Sequence, residues 1–223
     1  ACNHESAAEG TGGIAASSTA DASTTGPPTD GSCENSPRPG PMPRLVRLSH
    51  RQYDRTVADL LKVNLDPPPS SEFPAEPTVA GFDNNAVQMV VQGRLGRDYR
   101  RAAERLAQMA VAPGALDALL PCQPDGDGST CAAQFVKDFG RRAFRRPLTP
   151  AEEATYTSLF LQGPDLYPDG TPFERGIRLV IEAMLQSAHF LYRIELSDSA
   201  DGDDDIPLGG YELASRLSYF LWG

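Results

Sequence analysis

Apolar side chains recur three and four positions apart along most of the chain after residue 44, which is the spacing of one face of an α-helix. Ser49 predicts the start of a first helix, because Gln52 stands in the capping-box position three residues later. The apolar face of this helix consists of Tyr53, Val57, Leu60 and Leu61. The prolines of LDPPPSSEFPAEP predict that it stops at residues 64–69, because proline cannot continue a helix.

The middle of the chain predicts two further amphipathic helices. The second helix spans residues 90–111, and its apolar face consists of Leu95, Tyr99, Ala102, Ala103, Leu106, Met109 and Ala110. The third spans residues 132–145, and the side chains it is expected to bury are Phe135, Phe139, Ala143 and Phe144. Pro147 predicts the end of this third helix.

Two capping boxes predict the next helices. Thr149 begins a fourth helix, with Pro150 at its first position and Glu152 at its third. Its apolar residues are Tyr156, Leu159 and Phe160. Thr171 begins a fifth helix in the same way, and the apolar residues of that helix are Phe173, Ile177, Val180, Ile181, Met184, Ala188 and Leu191. This fifth helix is predicted to run for about 25 residues, or about 37 Å, and to be the longest element.

No stretch shows a sustained alternation of apolar and polar residues, so the predicted class is all-α, with several amphipathic helices in a bundle-like arrangement. Residues 3–43 differ, because Ser, Thr, Ala, Gly and Pro dominate them and cannot bury enough apolar surface to offset chain entropy. We therefore predict a flexible, disordered tether over 1–43 and helical modules over 44–115 and 116–197. Residues 198–223 are interpreted as an acidic loop and the start of a further, truncated module.

The first two residues suggest how the tether is attached. Ala1-Cys2 opens a run rich in Ser and Gly, as at the end of a bacterial lipoprotein signal peptide, so Cys2 is predicted to carry a lipid anchor. In this interpretation the protein is exported to the periplasm or outer surface and held at the membrane. The alternative is an ordinary cysteine near an arbitrary chain start. No apolar run of 18 or more residues predicts a membrane-spanning helix.

Cys122 and Cys131 flank the turn-forming loop QPDGDGST and predict a disulfide, which exported proteins favour. The alternative is two thiols in a reducing compartment, and the remaining Cys33 leaves that alternative open. A metal site is disfavoured, because the sequence has no CxxC pair and its histidines are far apart. The three histidines are His4, His50 and His189.

Four arginines fall within six residues in FGRRAFRRPLTPAEE, residues 139–153, although the formal net charge is −10. On a helix they form two i,i+4 pairs, Arg141 with Arg145 and Arg142 with Arg146. They lie in the last helical turn, where cations favour the free carbonyl groups, and Glu152 and Glu153 would pair with them across Pro147. This pattern favours an ion-paired corner, and an anionic ligand or partner is the alternative. Nucleic acid is not an expected partner of so acidic a chain.

We identify no catalytic motif and no cofactor motif, which leaves open whether the chain is an enzyme. His189 is a candidate haem ligand or general base, but a single histidine beside an apolar helix face is more often a packing or surface residue. Ser49, His50 and Asp54 resemble a nucleophile group only in composition, because adjacent helical residues point about 100° apart.

The loop DGDDDIPLGGYE, residues 201–212, has the acidic spacing of a calcium-binding EF-hand. Positions 1, 3, 5 and 12 of that pattern are Asp201, Asp203, Asp205 and Glu212. Position 6, where the sharp turn requires glycine, is Ile206. A solvated acidic loop is therefore favoured, and a calcium site is the alternative.

Five blocks occur in order after residue 44: LVRLSHRQYDRTVADLL, GFDNNAVQMVV with DYRRAAERLA, FVKDFGRRAFRRPLTPAEEATYTSLF, GIRLVIEAMLQSAHFLYRIEL and GYELASRLSYFLWG. Together they resemble exported planctomycete- and myxobacteria-type multidomain proteins, which are built from serial domains of unknown function and are often joined to cytochrome c modules. The chain resembles the N-terminal portion of such proteins, which implies further sequence after the last block. The resemblance also suggests a redox setting, with haem only in a partner or a missing region because no CxxCH motif is present.

Two functions are consistent with these features. The first is a non-catalytic helical scaffold or binding module of an exported, lipid-anchored multidomain bacterial protein. The second is the N-terminal part of an exported oxidoreductase or electron-transfer protein whose redox centre lies outside this chain. The sequence predicts neither a substrate nor a small-molecule ligand.

Overall fold

The computed structural model describes residues 45–78, 86, 88–195 and 208–222, which all belong to one unit, Gly40–Gly223. In chain order their regular elements are β1 (Leu45–Arg47), α1 (His50–Leu61), α2 (Gly93–Ala110), α3 (Ser129–Phe144), α4 (Pro150–Leu166), α5 (Pro172–Gln186), α6 (Ala188–Leu191), β2 (Tyr192–Ile194) and α7 (Gly210–Trp222). Two 3₁₀ turns, Pro69–Glu72 and Leu116–Ala118, lie before and after α2. The predicted all-α class is confirmed, since each described strand has only three residues.

The starts of α1, α4 and α5 follow the capping signals in the sequence. In each of them the side chain of the residue before the helix accepts a hydrogen bond from the backbone N–H of the third helical residue. The side chain of that third residue in turn accepts a hydrogen bond from the backbone N–H of the capping residue. The three pairs are Ser49 with Gln52, Thr149 with Glu152 and Thr171 with Glu174. The predicted apolar face of α1 is confirmed as buried, and it consists of Tyr53, Val57, Leu60 and Leu61.

Helix α5 is shorter than predicted, because the chain breaks at Ser187. This residue takes an extended backbone conformation (φ −66°, ψ 142°), and its Oγ accepts a hydrogen bond from the backbone N–H of His189 at 3.2 Å. A separate one-turn helix, α6, follows and leads directly into β2. The prediction of one long helix is therefore wrong, and α2, with 18 residues, is the longest described helix.

Strands β1 and β2 form an antiparallel sheet that the sequence did not predict. Leu45 pairs with Ile194, and beside the sheet the backbone N–H of Leu48 donates to the carbonyl oxygen of Leu191 at 2.9 Å. Strands of three residues are too short to show an alternating pattern. The sheet brings the beginning of the first predicted module beside the end of the second.

One hydrophobic core runs through helices α1 to α6 and crosses the predicted module boundary at residues 115 and 116. Its aromatic centre has neighbouring ring centroids 4.9 to 5.9 Å apart and consists of Tyr53, Phe73, Tyr99 and Phe190. The predicted apolar face of α2 is wrong at Met109, which is 45% exposed, while Ala107 is buried instead. Residues from both predicted modules therefore pack into the same core.

Helices α4 and α5 approach each other closely at two glycines. A Cβ atom on Gly163 would lie 2.4 Å from the carbonyl oxygen of Arg175, and one on Gly176 would lie 2.6 Å from the carbonyl oxygen of Phe160. Contacts this short are below van der Waals separation, so any larger residue would push the two helices apart. The two glycines therefore allow α4 and α5 to pack with their backbones in close contact.

Helix α7 lies against this core with none of its residues, Gly210–Trp222, fully buried. Its exposed apolar side chains are Tyr211, Leu213, Leu217, Phe220, Leu221 and Trp222. Polar contacts attach it to the rest of the molecule. The hydroxyl oxygens of Tyr219 and Thr56 are 3.0 Å apart, and Nε of Arg216 donates to Glu195 at 3.1 Å. Among the described helices, none is both long and apolar enough to cross a membrane.

Candidate functional site

The arginine corner between α3 and α4 is built around Arg145. This residue follows the last residue of α3 and takes a left-handed backbone conformation (φ 60°). Its Nη2 donates to three carbonyl oxygens, those of His189 at 2.8 Å, Phe190 at 2.9 Å and Tyr192 at 2.8 Å. Burial lowers the pKa of the Arg145 guanidinium. Arg145 therefore holds α6 and β2 against the end of α3, whereas the sequence predicted a cation in the last turn of α3, placed i,i+4 to Arg141 and near the free carbonyl groups of its own helix.

Arg146 forms the ion pair that the sequence predicted across Pro147. Its Nη1 donates to Oε2 of Glu152 at 2.9 Å, and its Nη2 donates to Oε1 at 2.7 Å. The hydrogen bonds from Arg146 are the main reason that the pKa of Glu152 falls to about 2, and the backbone N–H of Thr149 also lowers it. Glu153 forms none of the ion pairs in the described part of the chain, so only one of the two expected partners is confirmed.

We expect this ion pair to make stability depend on pH in the acid range. The pKa of Glu152 in the folded protein lies below its ordinary value of 4.5. The contribution of Glu152 to the free energy of unfolding is therefore fully present above about pH 4.5 and is lost as the pH falls toward about 2. Glu152→Gln should therefore flatten the acid decline of the urea midpoint, measured by circular dichroism. Glu153→Gln is the matched control and should keep the wild-type slope. Equal slopes in the two variants would contradict the expectation.

The other two arginines of the corner lie in different surroundings. Arg142 donates to the backbone carbonyl of Asp59 at 2.9 Å, and the carboxylate of Asp59 is 3.6 Å away, so that this contact joins α3 to α1. Arg141 is exposed, and within the described residues it forms no hydrogen bond or ion pair. The four arginines are therefore neighbours in sequence but differ in the groups that they contact.

A cavity of about 410 Å³ opens beside this corner, between β2 and the first half of α7, and we call it the arginine-lined cavity. Its apolar wall includes Phe144, Tyr192, Ile194 and Tyr211. Its polar wall includes Arg193, Ser215 and Arg216. The volume lies in the range of small-molecule sites, about 300 to 1,000 Å³. The sequence did not predict this site, which depends on the positions of β2 and α7.

Arg193 lines the cavity without an anionic partner among the described residues. Its guanidinium carbon lies 5.6 Å from the centroid of the Tyr219 ring, which is within the range of a cation–π contact. Its Nε is shielded from solvent and, within the described residues, donates to no acceptor. Burial lowers the pKa of Arg193, against the opposing attraction of Glu195. Arg216 differs, because its Nε and Nη2 both donate to the carboxylate of Glu195.

Ser215 provides a second unpaired polar group in the wall of the arginine-lined cavity. Its Oγ is shielded from solvent and has no hydrogen-bond partner in the described part of the chain. Leaving a buried donor or acceptor unpaired costs about 1 to 3 kcal/mol, and the described residues contain eight such atoms, of which only those of Arg193 and Ser215 belong to this wall. The two unpaired atoms, Nε of Arg193 and Oγ of Ser215, therefore belong to residues that line the same cavity.

His189, the candidate haem ligand or general base, lies at the edge of the same cavity. Its Nε2 is 3.5 Å from Oε1 of Glu152, and its Nδ1 is 3.3 Å from Nη2 of Arg146. Burial is the main cause that lowers the pKa of His189, and Arg146 lowers it further. Among the described residues, no group of three or more His, Cys, Asp or Glu side chains could hold a metal ion. His189 therefore belongs to the ion-paired corner.

The other candidate groups from the sequence are only partly brought together. Ser49 caps α1 as expected, and Asp54 accepts hydrogen bonds from the backbone N–H and hydroxyl of Ser70, so these residues form no nucleophile group with His50. At the end of the expected calcium loop, Glu212 accepts a hydrogen bond from the backbone N–H of Gly209 at 2.7 Å. The remaining residues of interest lie outside the described residues: Asp201, Asp203, Asp205, Cys2 and Cys33.

A buried polar cluster that the sequence did not reveal lies where β1 meets α1 and α2. Arg47 is 2% exposed, and its Nη1 donates to the hydroxyl oxygen of Tyr99 at 2.7 Å and to the carbonyl of Leu48 at 2.8 Å. Its Nη2 donates to Oε1 of Glu76 at 2.8 Å. The other oxygen of Glu76 accepts from the backbone N–H of His50 at 3.0 Å. Burial lowers the pKa of His50. The cluster ties the segment around Glu76 to the start of α1.

In the structure Cys122 and Cys131 form a disulfide. Cys131 lies buried in the first turns of α3, so the bridge holds the preceding loop to this helix. The loop that it closes is short, since the two cysteines are nine residues apart.

We expect Cys122→Ser combined with Cys131→Ser to lower the free energy of unfolding by about 2 to 3 kcal/mol, because the bridge restricts the unfolded chain. Urea unfolding with and without a reducing agent checks this. Reductant should lower the midpoint of the wild type to that of the variant and should leave the variant unchanged. A wild-type midpoint that does not respond to reduction would contradict the expectation.

Two family models match the chain. Residues 47–112, which contain α1 and α2, match the family described as PSD3: Protein of unknown function (DUF1587). Residues 131–195, which contain the arginine corner and β2, match the family described as PSD5: Protein of unknown function (DUF1595). Two successive segments of the chain are therefore similar to two families of unknown function. Neither the comparison with curated proteins nor the comparison with solved structures found a match.

Proposed function

We propose that the chain is a non-catalytic binding module and that the arginine-lined cavity is its ligand site. The observation that supports this is Arg193, a partly buried guanidinium in the cavity wall that forms no ion pair or side-chain hydrogen bond within the described residues, since the nearby Glu195 is paired with Arg216. A charge removed from water is costly unless an opposite charge or hydrogen bonds compensate it. An anionic ligand would provide that compensation and would also reach the unpaired hydroxyl of Ser215.

Titration with small anions at constant ionic strength, followed by backbone amide NMR signals, tests this proposal. Acetate, phenylacetate and inorganic phosphate are the probes. At least one of them should cause saturable shifts at residues 192–195 and 209–216, and Arg193→Gln should abolish these shifts. Arg141→Gln removes an exposed cation that does not line the cavity, so it is the matched control and should leave them unchanged. If no probe gives a saturable shift that depends on Arg193, the ligand site is refuted and only a scaffold function is left.

We also propose that the protein is exported, to the periplasm or the outer surface, and is anchored in the membrane by lipid on Cys2. The disulfide between Cys122 and Cys131 supports export, because such bridges persist mainly in oxidising compartments. The Ala1-Cys2 junction before a Ser- and Gly-rich run supports the anchor. Mass spectrometry of the native protein from membranes should find an acylated Cys2 at the N-terminus. An unmodified Cys2 inside a longer peptide would contradict the proposal.

A redox setting is a second proposal. It is supported by the ordered sequence blocks, which resemble proteins that are often joined to cytochrome c modules. In this proposal the haem is held by a partner or by another region, and the present residues form a helical support. The visible absorption spectrum of the native full-length protein, purified with its partners, should show a haem band. A colourless preparation without a redox-active metal would contradict this second proposal.

A further inference from the structure

We infer that the ligand of the arginine-lined cavity is an organic monocarboxylate with an apolar body, whose carboxylate binds between Arg193 and Ser215. This inference rests on the proposed function and adds the chemical class of the ligand to it. Three properties of the cavity carry the inference: the charge of its described lining, the presence of unpaired polar groups in two lining residues and the apolar character of the remaining wall.

The charge of the lining favours an anion with a single negative charge. Four arginines line the cavity: Arg145, Arg146, Arg193 and Arg216. Three carboxylates accompany them, two in the wall and one in the ion pair of the corner: Glu195, Glu212 and Glu152. Near neutral pH His189 adds no charge, because burial lowers its pKa. Among the residues that the structure describes, these four cations, the two wall carboxylates and Glu152 leave one positive charge. A carboxylate would neutralise it, whereas a phosphate with nearly two charges would exceed it.

The unpaired polar groups favour a planar anion. A guanidinium is flat and donates parallel hydrogen bonds to the two oxygens of a carboxylate, so Arg193 matches this group in shape as well as in charge. The hydroxyl of Ser215 would donate a further hydrogen bond to one of the same oxygens. A tetrahedral phosphate would direct its remaining oxygens toward the apolar wall. Phosphate oxygens against this wall would lose their hydration without gaining a hydrogen-bond donor, and this desolvation cost would weaken binding.

The apolar wall indicates the rest of the ligand. Its side chains are Phe144, Tyr192, Ile194 and Tyr211, and they line the cavity of about 410 Å³ together with Arg193. This volume accommodates a ring-sized apolar group attached to a carboxylate. Burying such a group is expected to tighten binding by about tenfold or more relative to acetate. The cavity therefore favours a carboxylate with a hydrophobic body over a small free anion.

Isothermal titration calorimetry of the folded chain with four probes tests the inference: phenylacetate, acetate, inorganic phosphate and 2-phenylethanol. At constant ionic strength phenylacetate should bind at least about tenfold more tightly than each of the other three. Arg193→Gln should weaken phenylacetate binding by about tenfold or more, and Ser215→Ala should weaken it by about threefold. Arg141→Gln should change it by less than about twofold, because this residue does not line the cavity.

Arg193→Lys keeps the experiment informative if Arg193→Gln fails to fold. Lysine retains the charge but lacks the planar pair of donors, so it should bind phenylacetate about fivefold more weakly with an unchanged unfolding midpoint. If inorganic phosphate binds more tightly than phenylacetate and still requires Arg193, the carboxylate class is wrong and the proposed ligand site stands. If 2-phenylethanol equals phenylacetate, the carboxylate class is likewise wrong. If no probe binds, or if Arg193→Gln binds the probes as tightly as the wild type does, both the ligand class and the proposed ligand site are refuted.

Discussion

Replacing Arg47 with methionine should lower the free energy of unfolding by about 3 to 5 kcal/mol. Arg47 is 2% exposed and donates to Glu76 and to the hydroxyl oxygen of Tyr99 in the interior. Methionine fills much of the same volume but provides none of these donors. The main cost comes from Glu76, whose largely buried carboxylate would lose its cation, because an uncompensated buried charge is far less favourable than a pair.

Urea unfolding at neutral pH, followed by circular dichroism, measures this cost. Arg100→Met is the matched control, because Arg100 faces Glu104 at 3.7 Å on the exposed surface of α2 and should contribute less than about 0.5 kcal/mol. The double variant Arg47→Met with Glu76→Gln should be more stable than Arg47→Met alone, since it leaves no unpaired charge. If Arg47→Met costs no more than the control, the buried cluster does not stabilise the fold in the way we argue.

The elements that could be predicted from the sequence are those set by neighbouring residues. The capping boxes at Thr149 and Thr171 involve residues only three positions apart, and both helices begin where these boxes indicate. The ion pair of Arg146 with Glu152 was predictable for the same reason, because the proline corner brings the end of one helix beside the start of the next.

The elements that could not be predicted depend on competition between local and distant contacts. The apolar spacing of α5 continues through Ser187 to Leu191, so periodicity alone indicates one helix. The chain instead breaks at Ser187, whose side chain caps α6, and Arg145 donates hydrogen bonds to the carbonyl oxygens of His189 and Phe190 in that turn. A local hydroxyl cap and a distant guanidinium together outweigh the continuation of the helix.

The candidate site illustrates the same limit. Arg193 stands in the sequence HFLYRIEL, where the helical pattern gives it no special position. In the structure it lies in β2, against the ring of Tyr219 in α7, and only the placement of those elements shows that it forms no ion pair with any described residue. The arginine cluster is dense in the sequence, yet most of its members donate hydrogen bonds to carbonyl oxygens or carboxylates. Arg193, the cation of the cavity wall that forms no ion pair or side-chain hydrogen bond within the described residues, belongs to a different segment.

Replacing Arg145 with glycine should lower the free energy of unfolding by about 3 to 4 kcal/mol, although two effects oppose each other. Glycine adopts the left-handed conformation of this position (φ 60°) without the strain of about 1 to 2 kcal/mol that other residues bear. The substitution also removes the hydrogen bonds to the carbonyl oxygens of His189, Phe190 and Tyr192. Hydrogen bonds from a charged donor contribute about 1.5 to 3 kcal/mol each, so their loss outweighs the relief of strain even after the recovered solvation of the cation.

Lys62→Gly separates the two effects, because Lys62 has the same left-handed conformation (φ 55°) at the end of α1. Its side chain is exposed and donates only one long hydrogen bond, to the carbonyl of Ala118 at 3.3 Å. Glycine there should leave stability unchanged or raise it by up to about 1 kcal/mol. Thermal and urea unfolding of both variants give the comparison. If Arg145→Gly were as stable as Lys62→Gly, the carbonyl contacts of Arg145 would contribute nothing, and the junction of α3, α6 and β2 would have to be held by apolar packing alone.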